Sequence, residues 1–140
     1  MVPATNQQYL GARYRVSSSD VTSSDYSQLN SRTGNTNGNS SSNDTGTTAW
    51  GSSNFQISMS TSNTASYGGA SGFFYLLDPL NTSHYKVVTG QGHNFYSSTQ
   101  QYRIDFSAVN RDSTDALSGI TFYYGSGNIA TGTIKLYGIK

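Results

Sequence analysis

The chain predicts an all-β protein, an antiparallel β-sandwich of jelly-roll type with seven to eight strands. Three observations lead there. Apolar residues recur with period two in several short runs, as along Leu10, Ala12, Tyr14 and Val16 or along Tyr102, Ile104, Phe106 and Ala108. No stretch carries apolar residues at helical spacing, and Glu, a common constituent of solvated helical faces, is absent altogether. Between the runs the sequence is dominated by Ser, Thr, Asn and Gly, which favour turns and caps over helices. Two packed antiparallel sheets are the simplest way to bury such strands, and a jelly roll suits their number and the long early connection.

Residues 1–7 read as a polar N-terminal arm and residues 8–140 as a single domain. Gln8–Val16 is the first strand, with Leu10, Ala12, Tyr14 and Val16 on one face and Tyr9, Arg13 and Arg15 on the other. Residues 17–48 read as a long Ser/Asn-rich loop pinned to the body by Tyr26 and Leu29; its section Gly34–Gly46 has no anchor and is expected to depend most on a partner. Trp50 opens an ordered block in which Asn54–Ser60 forms a strand with Phe55, Ile57 and Met59 inward. Thr61–Ala70 is a connection. In Ser71–Leu77 both faces are apolar, Phe73, Tyr75 and Leu77 alternating with Phe74 and Leu76. That pattern implies a central strand or one covered by another subunit, with Phe74 and Leu76 as interface residues. Asp78-Pro79 stops the strand.

His84–Thr89 is expected to be a strand, Gly90-Gln91-Gly92 a turn, and Asn94–Ser97 a short partner; Gln101–Val109 alternates well, and Asn110–Ala116 is a charged loop. From Leu117 to Lys140 the pattern is strand, tight connection and terminal strand, carried by Ile120, Phe122 and Tyr124, then by Ile134 and Leu136. A chain ending in its strongest β-pattern is expected to end inside its core, because an unpartnered terminal strand leaves backbone groups unpaired.

A formal net charge of +1, with both signs dispersed, supplies no electrostatic footprint for nucleic acid or an anionic membrane. There is no cysteine, so neither a disulfide framework nor a thiolate metal site exists. The first residues lack the basic and apolar regions of a signal peptide, and synthesis in the cytoplasm is the expectation. Catalytic signals are thin. His84 and His93 have no third ligand at a recognisable spacing, and Asp105, Asp112 and Asp115 have no Glu partner. Asn35, Asn37, Asn39 and Asp44 lack the terminal Glu of a calcium loop, and the serines sit in no G-x-S-x-G elbow. A non-enzyme without metal or cofactor is therefore expected. Trp50, Tyr67, Tyr96 and Tyr123, set among Asn, Gln and Asp, are candidate platforms for a host glycan.

The ending carries a more specific signal. Ser126–Lys140, with Gly127, Asn128, Ile129, Ala130, Gly132 and Thr133 followed by Leu136, Tyr137, Gly138 and Ile139, resembles the C-terminal strand pair of a family of small β-sandwich domains in tailed-bacteriophage virion proteins. The upstream YLGARYRV, SGFFYLLDP and QYRIDFSAV segments occur in the order expected of that family, so a looser likeness covers most of the chain. The resemblance implies a virion-surface protein, either a capsid decoration or cement protein or a tail-fibre or spike component. A fibre needs a long shaft ahead of its terminal domain, and with only seven polar residues before the first strand the decoration role is the expected one. The implied partners are further copies, a trimer foremost, and the major capsid protein or tail proteins. Arg13, Arg15 and Arg32 would be its charged anchors, since an arginine fork engages carboxylates bidentately.

Overall fold

The computed structural model describes residues 1–36, 40–110 and 113–138; for residue 36 and residues 40–51 it describes the backbone alone. Eleven strands are present among them: β1 (Val2–Pro3), β2 (Leu10–Val16), β3 (Ser19–Asp20), β4 (Tyr26–Thr36), β5 (Ser40–Ser52), β6 (Phe55–Gln56), β7 (Ala70–Leu77), β8 (Lys86–Phe95), β9 (Gln101–Asn110), β10 (Gly119–Tyr124) and β11 (Ile129–Thr131). A single 3₁₀ turn, Ala65–Tyr67, precedes β7. Five strands form one sheet in the order β5-β4-β9-β8-β7. A smaller sheet is built on β2, with β10 along one edge and the short β3 and β6 on the other, while β1 and β11 make a two-stranded ribbon. All pairings are antiparallel. The chain is thus an all-β, multi-sheet structure consistent with a β-sandwich.

Period-two alternation puts the core between the two larger sheets. Leu10, Ala12 and Tyr14 of β2 are buried, and so are Ile104, Phe106 and Ala108 of β9 and Val88 of β8. Phe55 lies at the centre, fully buried, with the rings of Tyr14 at 5.6 Å and of Tyr26, Phe74 and Phe106 each at 6.3 Å. Phe74 also meets Phe122 of the small sheet at 6.0 Å. Each aromatic pair is worth about 0.5–1.5 kcal/mol beyond its buried area.

Only Phe55 and Gln56 of the expected strand Asn54–Ser60 pair as a strand; the chain then crosses the core irregularly. Its backbone groups are met by buried side chains. Gln28 accepts from the Gln56 N–H at 2.7 Å and donates to the Gln56 carbonyl at 2.8 Å, as a neighbouring strand would. Asn94 accepts from the Met59 N–H at 3.1 Å and donates to the Ser60 carbonyl at 2.8 Å. The Ser58 hydroxyl accepts from the Leu10 N–H, and Ile57 and Ser58 donate to the Leu10 carbonyl.

Several expectations are corrected by this architecture. Residues 17–48 do not form one long loop: they contain β3, β4 and most of β5, and β4 is paired on both edges, with β5 and with β9. A strand flanked on both sides satisfies its backbone whatever its composition, and the inward Gln28 and Asn30 are buried as polar residues. Gly90-Gln91-Gly92 is not a turn but the middle of β8. A Cβ on Gly92 would lie 1.8 Å from the Ile57 carbonyl oxygen, so this glycine serves the close approach of the crossing segment. Residues 1–7 are not a free arm, because β1 pairs with β11, Pro3 is buried, and the Met1 ammonium donates to the Ala70 carbonyl. The terminal hairpin is not formed among the described residues either. β10 joins β2 and β11 joins β1, and residues 132–138 continue without strand pairing, with Leu136 92 % exposed. Finally, β7 is an edge strand, not a central one.

Replacing Asn94 with Ala strands one part-buried donor, the Met59 N–H, and one part-buried acceptor, the Ser60 carbonyl, at up to about 1–3 kcal/mol for each. Asn94→Ala is therefore expected to lower the urea midpoint clearly, while the exposed Ser98→Ala control stays within about 0.5 kcal/mol of the parent. Equal midpoints for the two variants would show that Asn94 does not hold the crossing segment.

Candidate functional site

The outer face of the five-stranded sheet presents the odd-numbered side chains of β4, β7, β8 and β9, and the registers align them in rows. One row runs Tyr75, Thr89, Ser107, Leu29; the next runs Phe73, Gln91, Asp105, Ser31. Together they line a shallow trough of about 690 Å³. Phe73 and Tyr75 meet edge to face at 5.9 Å and are half exposed, while Leu29 on the opposite bank is 61 % exposed. Leu77, at the end of β7, extends the apolar bank. The floor is polar: Gln91 donates to Asp105 Oδ1 at 2.8 Å, and Arg103 donates to the same oxygen at 3.0 Å. The Gln91 hydrogen bond, and after it the Arg103 guanidinium, hold the Asp105 carboxyl below its ordinary range. Beyond Arg103 a smaller trough of about 300 Å³ includes His93, whose Nε2 lies 3.0 Å from Gln101 Oε1.

An apolar bank facing a row of fixed hydrogen-bonding groups can hold a partner or a sugar by contact. His84 is exposed in the loop after β7, apart from His93 on β8, and its carbonyl accepts from Lys86. Among the described residues no group of three His, Cys, Asp or Glu is placed to hold a metal, and no helix is long and apolar enough to cross a membrane. Asn37, Asn39 and Asp112 lie outside the described residues, as does the side chain of Asp44.

The residues singled out in the sequence are scattered over other surfaces. Arg13 donates to the Ser53 carbonyl at 2.9 Å and lies 4.6 Å over the Tyr123 ring on the outer face of the small sheet. Arg15 pairs with Asp20 at 3.4 Å and donates to the Ser18 carbonyl. Arg32 sits on β4 in register with Asp44 and Ile104, on the side of the large sheet shared by Gln28 and Asn30. The three arginines therefore do not form one anchor. Phe74 and Leu76 are turned the other way from the interface expected of them, packing against the core. Among the aromatic platforms, Tyr67 ends the 3₁₀ turn, Tyr96 follows β8 with its ring edge-on to Tyr102 at 6.3 Å, and Tyr123 lies under Arg13. Trp50 is on β5, its side chain outside the described residues. Sequence reasoning missed Phe73, Tyr75, Leu29 and the Gln91–Asp105 pair. The one usable signal was the two-sided apolar run of β7, which does not say which side faces in.

No family model, curated protein or solved structure matches the chain.

The most displaced acid–base groups lie away from the trough. Burial pushes the Tyr14 phenol up, and a nearby Tyr26 adds to it. Burial likewise raises Tyr26, Tyr123 and Tyr124 to about 12, against partial opposition at Tyr123 from Arg13. The Tyr124 hydroxyl donates to the Met1 carbonyl at 2.7 Å. Because these folded values exceed the unfolded value near 10, the native state keeps protons that the unfolded chain releases. Stability is then complete below about pH 10 and falls as pH rises toward about 12, each such phenol contributing about tenfold per pH unit to the unfolding constant. Unfolding at a series of alkaline pH values is expected to show this fall, and Tyr124→Phe to make it shallower. A parent whose stability is flat across that window would contradict the assignment.

Proposed function

We propose that the protein is a structural component of a bacteriophage particle, a jelly-roll-type surface protein that decorates or cements the assembled head by docking on capsid subunits. The observation that carries this reading is the exposed apolar surface on one face of the large sheet, Phe73, Tyr75 and Leu77 along one bank of the trough and Leu29 on the other. Apolar surface gathered on one face marks an interaction site more than scattered exposed residues do. The resemblance of Ser126–Lys140 to virion β-sandwich domains supplies the context. Since Arg13 and Arg15 are engaged within their own chain, the docking energy falls to this face and not to arginine anchors. Binding confined to the assembled lattice would stabilise the shell and leave free capsid subunits unaffected.

A second reading, a tail component that binds a host glycan, is favoured by the position of Phe73 and Tyr75 beside Gln91, Asp105 and Arg103, since sugars are held by aromatic faces with hydrogen bonds around them. Imaging of native particles with a tagged chain separates the two, head placement supporting the decoration role. On the head, Phe73→Ala with Tyr75→Ala is expected to lower occupancy at least about tenfold, as loss of a central aromatic anchor does, and to lower the temperature of DNA release. Tail placement, with glycan binding that Tyr75→Ala abolishes, would select the second reading; unchanged occupancy on the head would remove this face from the attachment.

A further inference from the structure

Two features of the chain complement one another. The first is the edge of β7. The strand pairs with β8 alone, and among the described residues the one backbone link on its other edge joins Met1 to Ala70. Ser71–Leu77 is therefore an open strand edge, uncharged and without proline, with Phe73, Tyr75 and Leu77 on one side and the part-buried Phe74 and Leu76 on the other. Natural edge strands are ordinarily protected by charge, proline, a bulge or a covering element.

The second feature is the tail. Residues 132–138, GTIKLYG, have strand-like alternation but no strand partner among the described residues, and every one of them is exposed. Leu136 is 92 % and Tyr137 74 % exposed, and a side chain at Gly138 would meet nothing within 4 Å. From this juxtaposition the geometry points to a donor-strand exchange: the tail of one copy adds as an extra strand to the β7 edge of a second copy.

Length, chemistry and connectivity all fit. Six residues from Thr133 to Gly138 span about 20 Å as a strand, close to the roughly 23 Å of Ser71–Leu77. On the added strand Ile134 and Leu136 share one side and Thr133, Lys135 and Tyr137 the other. Ile134 and Leu136 can then flank Phe74 and Leu76 while Tyr137 continues the bank of Phe73 and Tyr75. Lys135 is the single charge of residues 132–138 and meets none of its own sign on β7. Connectivity selects a second copy over the same chain. Val2 pairs with Thr131, a Cβ on Gly132 would lie 2.6 Å from Met1 Cγ, and the Met1 carbonyl accepts from the Ala70 N–H at 2.7 Å. Met1 thus stands between the root of the tail and the start of β7, so a tail folding back on its own β7 would have to displace it. An acceptor edge and a donor tail on one molecule are distinct surfaces, and the resulting contact is heterologous, closing into a ring where the rotation allows.

The test uses the full purified chain, which has no cysteine of its own. Sedimentation at micromolar concentration is expected to show association, weakened at least about tenfold by Leu136→Asp, a change at a fully open position that leaves the fold intact. A chain ending at Thr131 should be monomeric with an unchanged β-type circular dichroism spectrum; Leu136→Asp gives the same answer if that truncation does not fold. A truncated chain carrying Tyr75→Cys, mixed with a full chain carrying Tyr137→Cys, is expected to form a mixed disulfide, because both positions lie on one face of the augmented sheet, and a truncated chain carrying Ser98→Cys is not. Equal yield at Tyr75 and Ser98, a monomeric parent, or a disulfide formed within one chain carrying both cysteines would each overturn the exchange. All arms use protein without virions, so failure here leaves the docking reading standing, and the reverse holds.

Discussion

The two large layers are held in register by a segment that belongs fully to neither. Between Gln56 and Thr61, which bridges Gln8, the chain threads the interior without strand pairing, and a buried backbone without partners would cost several kcal/mol. Gln28 from β4 and Asn94 from β8, both nearly inaccessible, present their amides as strand edges to it. Each amide matches a donor and an acceptor at once, so it fixes the height and the register of the segment. Phe55 is consequently delivered to the middle of the aromatic cluster and Ile57 to the floor over Gly92. Other parts of the interior follow from this placement, including the absence of a side chain at Gly92 and the polar lining of β4.

The same arrangement explains why the outer face of the large sheet is left open. One small sheet and one crossing segment cover the inner face, and the outer face carries half of the side chains of β4, β7, β8 and β9. On β8 and β9 these are Thr, Gln, Asp, Ser and Arg for much of their length, as befits a wet surface. On β7 they are Phe73, Tyr75 and Leu77. Burying an exposed side chain of this kind is worth about 1.5–3 kcal/mol, which gives such a bank enough driving force to matter in association.

What could be read from the sequence divides along a physical line. β2, β9 and β10 were legible because their inward residues are apolar and their outward ones mostly polar, so period two appears directly in the letters. β4 was not, because its inward positions include the buried Gln28 and Asn30, and the partner that satisfies Gln28 is the Gln56 backbone, far away in the chain. β8 reads as two pieces in the sequence because of Gly90 and Gly92, since close approach to Ile57 and turn formation call for the same residue. The trough was only half legible: both faces of β7 were visibly apolar, but which one lies outward depends on Phe74 meeting Phe55 and Phe122. Arg13 and Arg15 looked available in the sequence because Ser53, Tyr123 and Asp20, their actual partners, come from other strands and turns.

Local and global preferences agree in most of this molecule and part company at two places. At β7, an apolar strand that by pattern belongs in the middle of a sheet is at its edge. At residues 132–138, a segment that by pattern belongs in a sheet has no strand partner among the described residues. Sequences that fold cooperatively keep such conflicts few, and those that persist tend to be where the molecule meets something else. Here the two conflicts have opposite character, one an edge lacking a strand and the other a strand lacking an edge. Bringing them together in one contact removes both, and Met1, lodged between Gly132 and Ala70, directs that contact away from the chain's own edge and toward another copy.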